Sequence, residues 1–317
     1  MRSEEIKKKI IVICGPTATG KSAFAIQLAK RFNGEVISAD SRQVYRGMNI
    51  GTGKVTKKEM AGIPHYMLDI ANPKKRFTVA EFQKMGNGKM SDIFERNKLP
   101  IICGGTGFYI SALIDGTVFP EVPPNTELRA KLEKKSADQL FAMLKKLDPK
   151  RAETIDWKNK RRVARAIEIA KALGKVPFVE VRPPQTCGGL TSTGLQPDKT
   201  LWIGIKLPKE ELKNKIKIRL FQRLKQGMVA EAKKLHKNGL SWRRMEEFGL
   251  EYRYLAKYLN NKISKEQMTN ELETEIWHYA RRQMTWFRRD KRIKWFTPDK
   301  YKIVQKIVKR FINGSIS

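Results

Sequence analysis

A doubly wound α/β fold with a parallel sheet is predicted by two features of the sequence. Short β-branched runs end at glycine or an acid, and amphipathic helical stretches lie between them. The first run, Ile10-Ile11-Val12-Ile13-Cys14, is apolar throughout, as in a parallel strand covered on both faces. A helix should begin near Lys21, because Phe24, Ala25, Leu28, Ala29 and Phe32 recur at three and four residues and make one packing face. Val36-Ile37-Ser38 reads as a second strand leading to Asp40, and Pro100-Ile101-Ile102-Cys103 as another leading to Gly104-Gly105-Thr106-Gly107. Leu201-Trp202-Ile203-Gly204-Ile205 reads as a late strand of the same sheet. In such folds ligands bind beyond the carboxyl ends of the strands.

Between residues 120 and 198 the strand signals stop, and charged helix-forming segments bounded by prolines take over. This predicts an inserted all-helical domain within a core made of residues 1–119 and 199–317. Ser136 and Gln139 have capping-box spacing, and Asp148-Pro149 offers an N-cap followed by proline at the first helical position. A helix over 159–173 should bury Val163, Ala166, Ile167 and Ala170 and leave Arg161 and Arg165 together on another face. Residues 183–198, rich in Pro, Gly, Thr and Ser, read as a loop returning to the core. After Pro208 the chain reads as helical nearly to residue 296.

The 317 residues suffice for a full core, and no apolar run approaches the roughly 20 residues that cross a bilayer. Ile10 to Cys14 is also too short for a signal-peptide core, so a soluble cytoplasmic protein is expected. Cys14, Cys103 and Cys187 lack paired spacing, and His65, His236 and His278 lie far apart, which supports neither a disulfide framework nor a zinc site. With 65 Lys and Arg against 32 Asp and Glu, the net charge of +33 points to a polyanionic partner. Nucleic acid, an acidic membrane surface and a merely solvated charged exterior all remain open on composition alone.

Gly15-Pro16-Thr17-Ala18-Thr19-Gly20-Lys21-Ser22 satisfies G-x-x-x-x-G-K-[ST] between a strand and a helix, the context in which this pattern cradles phosphate. Backbone N–H groups and the helix N-terminus face the anion, Lys21 reaches a terminal phosphate, and the Ser22 hydroxyl can hold Mg²⁺. The plainer alternative is a glycine turn entering a helix. Asp40, at the end of the second strand, can hold Mg²⁺ through water, bind a ribose or accept a proton from a nucleophile; it can equally be a loop or N-cap aspartate. Thr106 in the second glycine loop is available to a ligand, though its glycines can equally serve tight packing.

In order, GPTATGKS at 15–22, SADSRQVYRGMNIGTGK at 38–54, GIPHYMLDI at 62–70 and PIICGGTGFYISAL at 100–113 resemble segments of the tRNA dimethylallyltransferase family, bacterial type. LRAKLE at 128–133, RRVARAIEI at 161–169, residues 215–228 and RRQMTWFRR at 281–289 are similar to its later segments. The resemblance implies transfer of a dimethylallyl group from dimethylallyl diphosphate to the exocyclic amine of the adenosine 3′ to the anticodon. It also implies that the cradle binds diphosphate rather than ATP. By the same resemblance Asp40 is the general base, Thr106 contacts the target base, Ser22 holds Mg²⁺ and Arg219 meets the diphosphate. Ser41, Arg42, Gln43, Arg129, Arg161, Arg162, Arg165, Arg281, Arg282 and Trp286 become candidates for contact with the anticodon stem-loop, together with Arg288 and Arg289. For the last helix the alternative is that Ile276, Ala280, Met284 and Phe287 form a core face beneath solvated arginines.

Two positions depart from the family pattern. Lys215 stands where an arginine is usual, which would replace a bidentate phosphate contact with a point charge. The segment 247–252 is also altered around Gly249. The zinc-finger tail of eukaryotic members has no counterpart in this sequence. A monomer is the simplest expectation. A nucleotide or small-molecule kinase remains the rival enzyme class, since it would share the cradle, the sheet and Mg²⁺. A non-catalytic RNA-binding protein is a second rival.

Overall fold

The computed structural model describes residues 8–117, 119–177 and 199–314. The chain divides into two compact units, Met1–Gly116 with Pro183–Ser317, and Thr117–Arg182. The smaller unit therefore begins three residues before the expected 120. The expected return loop at 183–198, with Cys187, lies outside the described residues.

The larger unit is built on a six-stranded sheet in which every pair is parallel. Its strands are β1 (Ile10–Cys14), β2 (Gly34–Ser38), β3 (His65–Tyr66), β4 (Leu99–Gly104), β5 (Thr200–Ile205) and β6 (Lys294–Phe296), in the order β3-β2-β4-β1-β5-β6. β1 is buried at all five positions, and its side chains alternate between two cores. Ile10, Val12 and Cys14 enter one core and Ile11 and Ile13 the other, as the period of two along a strand requires.

The second core lies beneath α1 (Lys21–Arg31), whose Phe24, Ala25, Leu28 and Ala29 form its buried face as the spacing predicts. The first and larger core lies beneath α3 (Val79–Glu95), which follows the single-turn α2 (Lys57–Met60), and α4 (Gly107–Ile114). Five later helices complete it: α9 (Lys209–Lys225), α10 (Met228–Lys237), α11 (Trp242–Phe248), α12 (Leu250–Leu259) and α13 (Lys265–Phe287). The final helix, α14 (Tyr301–Ile312), adds Val304, Val308 and Phe311 to the second core. Both faces of the sheet are therefore covered.

The smaller unit contains only helices among its described residues: α5 (Thr126–Glu133), α6 (Ala137–Leu147), α7 (Pro149–Thr154) and α8 (Lys160–Leu173). Its own core is Leu132, Leu140, Leu144, Ala152, Ile155, Val163, Ala166 and Ile167. The capping box at Ser136 and Gln139 is present, and Asp148 caps α7 by accepting from the Arg151 N–H at 3.0 Å.

Two expectations need correction. The chain does not stay helical to residue 296: α13 ends at Phe287, and β6 adds an edge strand beside β5. Three residues carry too little alternation to be read from sequence, and their strand character comes from pairing. In α13 the buried face is Met268, Leu272, Ile276, Ala280, Gln283 and Phe287, while Met284 is only half-buried. No helix of the described residues is long and apolar enough to cross a membrane.

Candidate active site

Three loops leave the carboxyl ends of the neighbouring strands β1, β4 and β2 and surround one cleft. Its lining includes Lys21, Ser22, Asp40, Gly105, Arg219 and Gln283. The register sets this convergence, because Cys14 is paired with Gly104 and Cys103 with Ser38, so the three strands end together.

The loop after β1 is shaped for an anion. Gly15 has φ 139°, and a Cβ there would lie 2.3 Å from the Ile205 carbonyl oxygen, so the loop passes β5 only as glycine. Ala18 takes the left-handed φ of 63°, and Gly20, at φ 84°, opens α1 without any side-chain cap. The first-turn N–H groups of α1 are therefore uncapped donors beside the cleft, backed by the positive end of the helix dipole. Thr19 is buried and bonds the Pro16 carbonyl at 2.9 Å, which braces the loop internally. Lys21 is buried and donates to the same carbonyl. Burial lowers its pKa to about 8; Arg219 pushes the same way, against Cys103, Asp40 and Cys14. Ser22 is exposed on the first turn. Burial pushes the adjacent Cys103 thiol up to about 11, with the Lys21 charge acting against it, and drives Cys14 well above the thiol range. Both cysteines are thus inert small hydrophobes.

Asp40 lines the cleft and closes a turn at the same time. Its Oδ1 accepts from the Arg42 N–H at 2.8 Å and the Gln43 N–H at 3.3 Å. The plain loop-aspartate role is thus real, and it fixes the carboxylate over the cleft. Thr106 is not among the residues that line the cleft; it ties its own loop to that of Asp40, its Oγ1 accepting from the Ser41 N–H at 3.1 Å and its own N–H reaching the Ala39 carbonyl at 3.2 Å. The two loops are in backbone contact at Gly104, where a Cβ would fall 2.1 Å from the Ala39 oxygen.

Arg219 and Arg223 reach the cleft from α9, one turn apart. Arg219 donates to the Gly53 carbonyl at 3.3 Å and Arg223 to that of Gly51 at 3.3 Å. Burial, with the Arg223 charge beside it, lowers Arg219 to about 10. The 49–53 loop that offers those carbonyls is itself held by Glu231, whose carboxylate accepts from the N–H groups of Asn49 (2.8 Å), Ile50 (2.7 Å) and Gly51 (3.0 Å). Gln43 adds bonds to the Thr52 and Gly53 carbonyls at 3.4 and 3.3 Å.

Several cleft residues were not singled out from sequence: Arg223, Glu251, His65, Tyr279 and Gln283. For Tyr279 and Gln283 a signal existed. With Ile276 they continue one stripe of α13 at helical spacing, which reads as core until the polar groups find partners. Burial raises the carboxyl pKa of Glu251, opposed by Arg223, and lowers the imidazole pKa of His65.

The remaining candidates divide by environment. Arg281 and Arg282 are exposed on α13, and Trp286 is half-buried against Gly107 and the Phe108 ring at 6.4 Å. Arg288 and Arg289 are exposed. In the smaller unit Arg161 and Arg162 are exposed. Arg129 and Arg165 instead clamp the buried Glu168: Arg129 at 2.6 and 2.9 Å, Arg165 by a further close pair plus a 2.9 Å bond to the Val122 carbonyl. Arg165 is thereby half-buried, while Arg161, one turn away on the same helix, is exposed. Lys215 is exposed, pairs with Glu211 at 3.1 Å and is not among the residues that line the cleft. Leu250 and Glu251 of the altered segment do line it.

Among the described residues no group of three or more His, Cys, Asp or Glu could hold a metal by itself. The hydroxyl of Ser22 suits Mg²⁺ arriving with a diphosphate, since Mg²⁺ takes few protein ligands and keeps water and phosphate oxygens.

A cleft of this kind, with a phosphate loop on a parallel sheet and a carboxylate beside it, belongs to the P-loop class of α/β enzymes. The family model for IPP transferase matches residues 43–290, and that for isopentenyl transferase matches residues 8–76. A tRNA dimethylallyltransferase of Anoxybacillus flavithermus is 40% identical over 290 residues, 91% of this chain and 90% of its own length. tRNA dimethylallyltransferase 2 of Treponema denticola is 41% identical over 285 residues, covering 89% and 92%. The crystal structure of full-length tRNA isopentenylpyrophosphate transferase from Bacillus halodurans superposes with a TM-score of 0.71 at 34% identity, over 97% of this chain and 98% of that one. That of a eukaryotic dimethylallyltransferase acting on tRNA gives 0.80 at 27% identity, over 98% and 80%. The chain belongs to the tRNA dimethylallyltransferase (IPP transferase) family, a family of prenyltransferases, which sets the kinase alternative aside.

Proposed function

We propose that this enzyme transfers a dimethylallyl group from dimethylallyl diphosphate to the exocyclic amine of the adenosine 3′ to the anticodon in tRNA, releasing diphosphate. The observation that carries the reading is the meeting, in one cleft, of an uncapped phosphate loop and the Asp40 carboxylate. The diphosphate lies on residues 15–22. Lys21, Arg219 and the first-turn amides of α1 stabilise the charge that grows as the allylic C–O bond breaks and its electron pair stays on the phosphate oxygen. Mg²⁺, held by Ser22, supplies further charge neutralisation when bound.

An adenine amine is a poor nucleophile because its lone pair is delocalised into the ring. Asp40 takes the amine proton as the new C–N bond forms. Thr106, bonded to Ser41 next to Asp40, holds the target base. The adenosine must leave its stack to enter, work suited to aromatic and basic side chains. Ser41, Arg42, Gln43, Arg161, Arg162, Arg281, Arg282 and Trp286 contact the anticodon stem-loop, whereas Arg129 and Arg165 act through the packing of the smaller unit. A monomer working in the cytoplasm on free tRNA completes the reading.

Asp40→Asn is the direct test. It should leave tRNA binding intact and cut single-turnover prenylation by about 10²- to 10⁴-fold, the usual contribution of a general base. Unchanged turnover removes Asp40 from that role.

A further inference from the structure

We infer that Gln283 is a positioning residue that locks the phosphate loop to the base-binding loop, so that the two reactants meet in register; the inference rests on the prenyl-transfer reading above. Its side-chain amide spans the gap between them. Oε1 accepts from the Thr17 N–H at 2.8 Å, and Nε2 donates to the Gly105 carbonyl at 2.8 Å. Gln283 is only 6% exposed, and both ends of the amide are used. A polar side chain at that depth is stable only when so satisfied.

The two anchor points flank the chemistry. Thr17 precedes Ala18, whose left-handed φ of 63° must be held by its surroundings. Gly105 precedes Thr106, the proposed contact to the target base. The fit at Gly105 is close, since a Cβ there would lie 2.3 Å from Gln283 Nε2. One turn on, Trp286 closes over Gly107, where a Cβ would lie 2.1 Å from its Cδ1. The helix that exposes Arg281 and Arg282 to solvent thus sends two side chains inward, onto both ends of the glycine loop. An asymmetric amide is needed at 283, with an acceptor towards Thr17 and a donor towards Gly105. Methionine matches its length and offers neither, while glutamate keeps only the acceptor.

The test compares wild type, Gln283→Met and Gln283→Glu in single-turnover prenylation, in titrations with inorganic pyrophosphate and with tRNA, and in amide hydrogen exchange. Gln283→Met should lower the rate at saturation by about 10²-fold, the cost of misplacing reacting groups by about 1 Å. Affinity for pyrophosphate and for tRNA should change by less than about threefold, because neither ligand is bound through Gln283. Exchange should quicken together in the peptides covering 15–22 and 104–108. Gln283→Glu, which retains the Thr17 bond, should quicken only the second of these. An unchanged saturating rate with unchanged exchange would overturn the inference, as would a loss confined to affinity. Exchange does not depend on the reaction, so a wild type that exchanges as described yet fails to prenylate counts against the proposed function and not against the lock.

Discussion

Arg223 and Glu251 face each other at 3.0 Å in the wall of the cleft, with 9% and 13% of their side chains exposed. The pair lies beside Arg219, so Glu251 offsets a concentration of positive charge that would otherwise repel itself. Breaking a buried pair by removing one partner is destabilising by about 3–5 kcal/mol. Glu251→Ala should therefore lower thermal stability by an amount near the lower end, given the residual exposure. It should also tighten pyrophosphate a few-fold, because Arg223 becomes available to the anion. Calorimetric unfolding and titration check the two halves, and a variant as stable as wild type would mean that the pair organises nothing.

Lys21 should give the proposed phosphate site a pH dependence. Its pKa of about 8 in the free protein is below the ordinary value of 10.5, and a bound phosphate oxygen would raise it again. Binding then takes up a proton, and pyrophosphate affinity should fall as pH rises above about 8. Lys21→Arg should flatten the fall, since arginine stays charged. The same shift acts on folding with the opposite sign. Between about 8 and 10.5 the unfolded chain holds this proton more tightly, so the lysine's contribution to stability rises with pH. Pyrophosphate titrations from pH 7 to pH 10 decide the binding half; affinity independent of pH would show that Lys21 does not reach the anion.

The arginines named from sequence should separate into two groups. Arg281→Ala and Arg282→Ala, at exposed positions, should weaken tRNA binding and each reduce the slope of log affinity against log salt by about 0.7–0.9. Arg129→Ala should instead leave the buried Glu168 with only Arg165 and the Asn125 N–H as partners and lower the stability of the smaller unit by about 1–3 kcal/mol. Salt titrations and thermal denaturation of the same variants distinguish the two behaviours. Loss of RNA affinity without loss of stability in Arg129→Ala would reverse the assignment.

Gly104→Ala should be far more damaging than an ordinary surface change. The added carbon would lie 2.1 Å from the Ala39 backbone oxygen, which cannot swing aside as a side chain can. The loops carrying Asp40 and Thr106 must then separate. A stability loss of about 2–3 kcal/mol is expected for overpacking of this kind, with turnover falling further than stability explains. Near-normal turnover would show that the spacing of these loops tolerates error.

How much of this was legible in the sequence follows from how local each signal is. The turn at 15–20, α1 and the strands before Asp40 and Gly104 are set by runs of adjacent residues, and the element bounds were found to within two residues. Strands β3 and β6, of two and three residues, owe their form to pairing with distant chain and left no local period. Polarity misled in both directions. Gln283 and Arg223 look like surface residues of amphipathic helices but are buried, because carbonyls and amides from far along the chain complete their bonds. Arg129 and Arg165 look like free cations, but Glu168 lies beneath them. Lys215 drew attention by its departure from the family pattern, and among the described residues it pairs with a glutamate one helical turn away.

Prenyl transfer itself is tested by incubating the enzyme with Mg²⁺ and unmodified tRNA and following label from dimethylallyl diphosphate and, separately, from the γ-phosphate of ATP. The account predicts that prenyl label alone enters tRNA, at the adenosine 3′ to the anticodon. Prenyl label that stays out of tRNA while ATP is consumed would contradict it, and would make the cradle a nucleotide site.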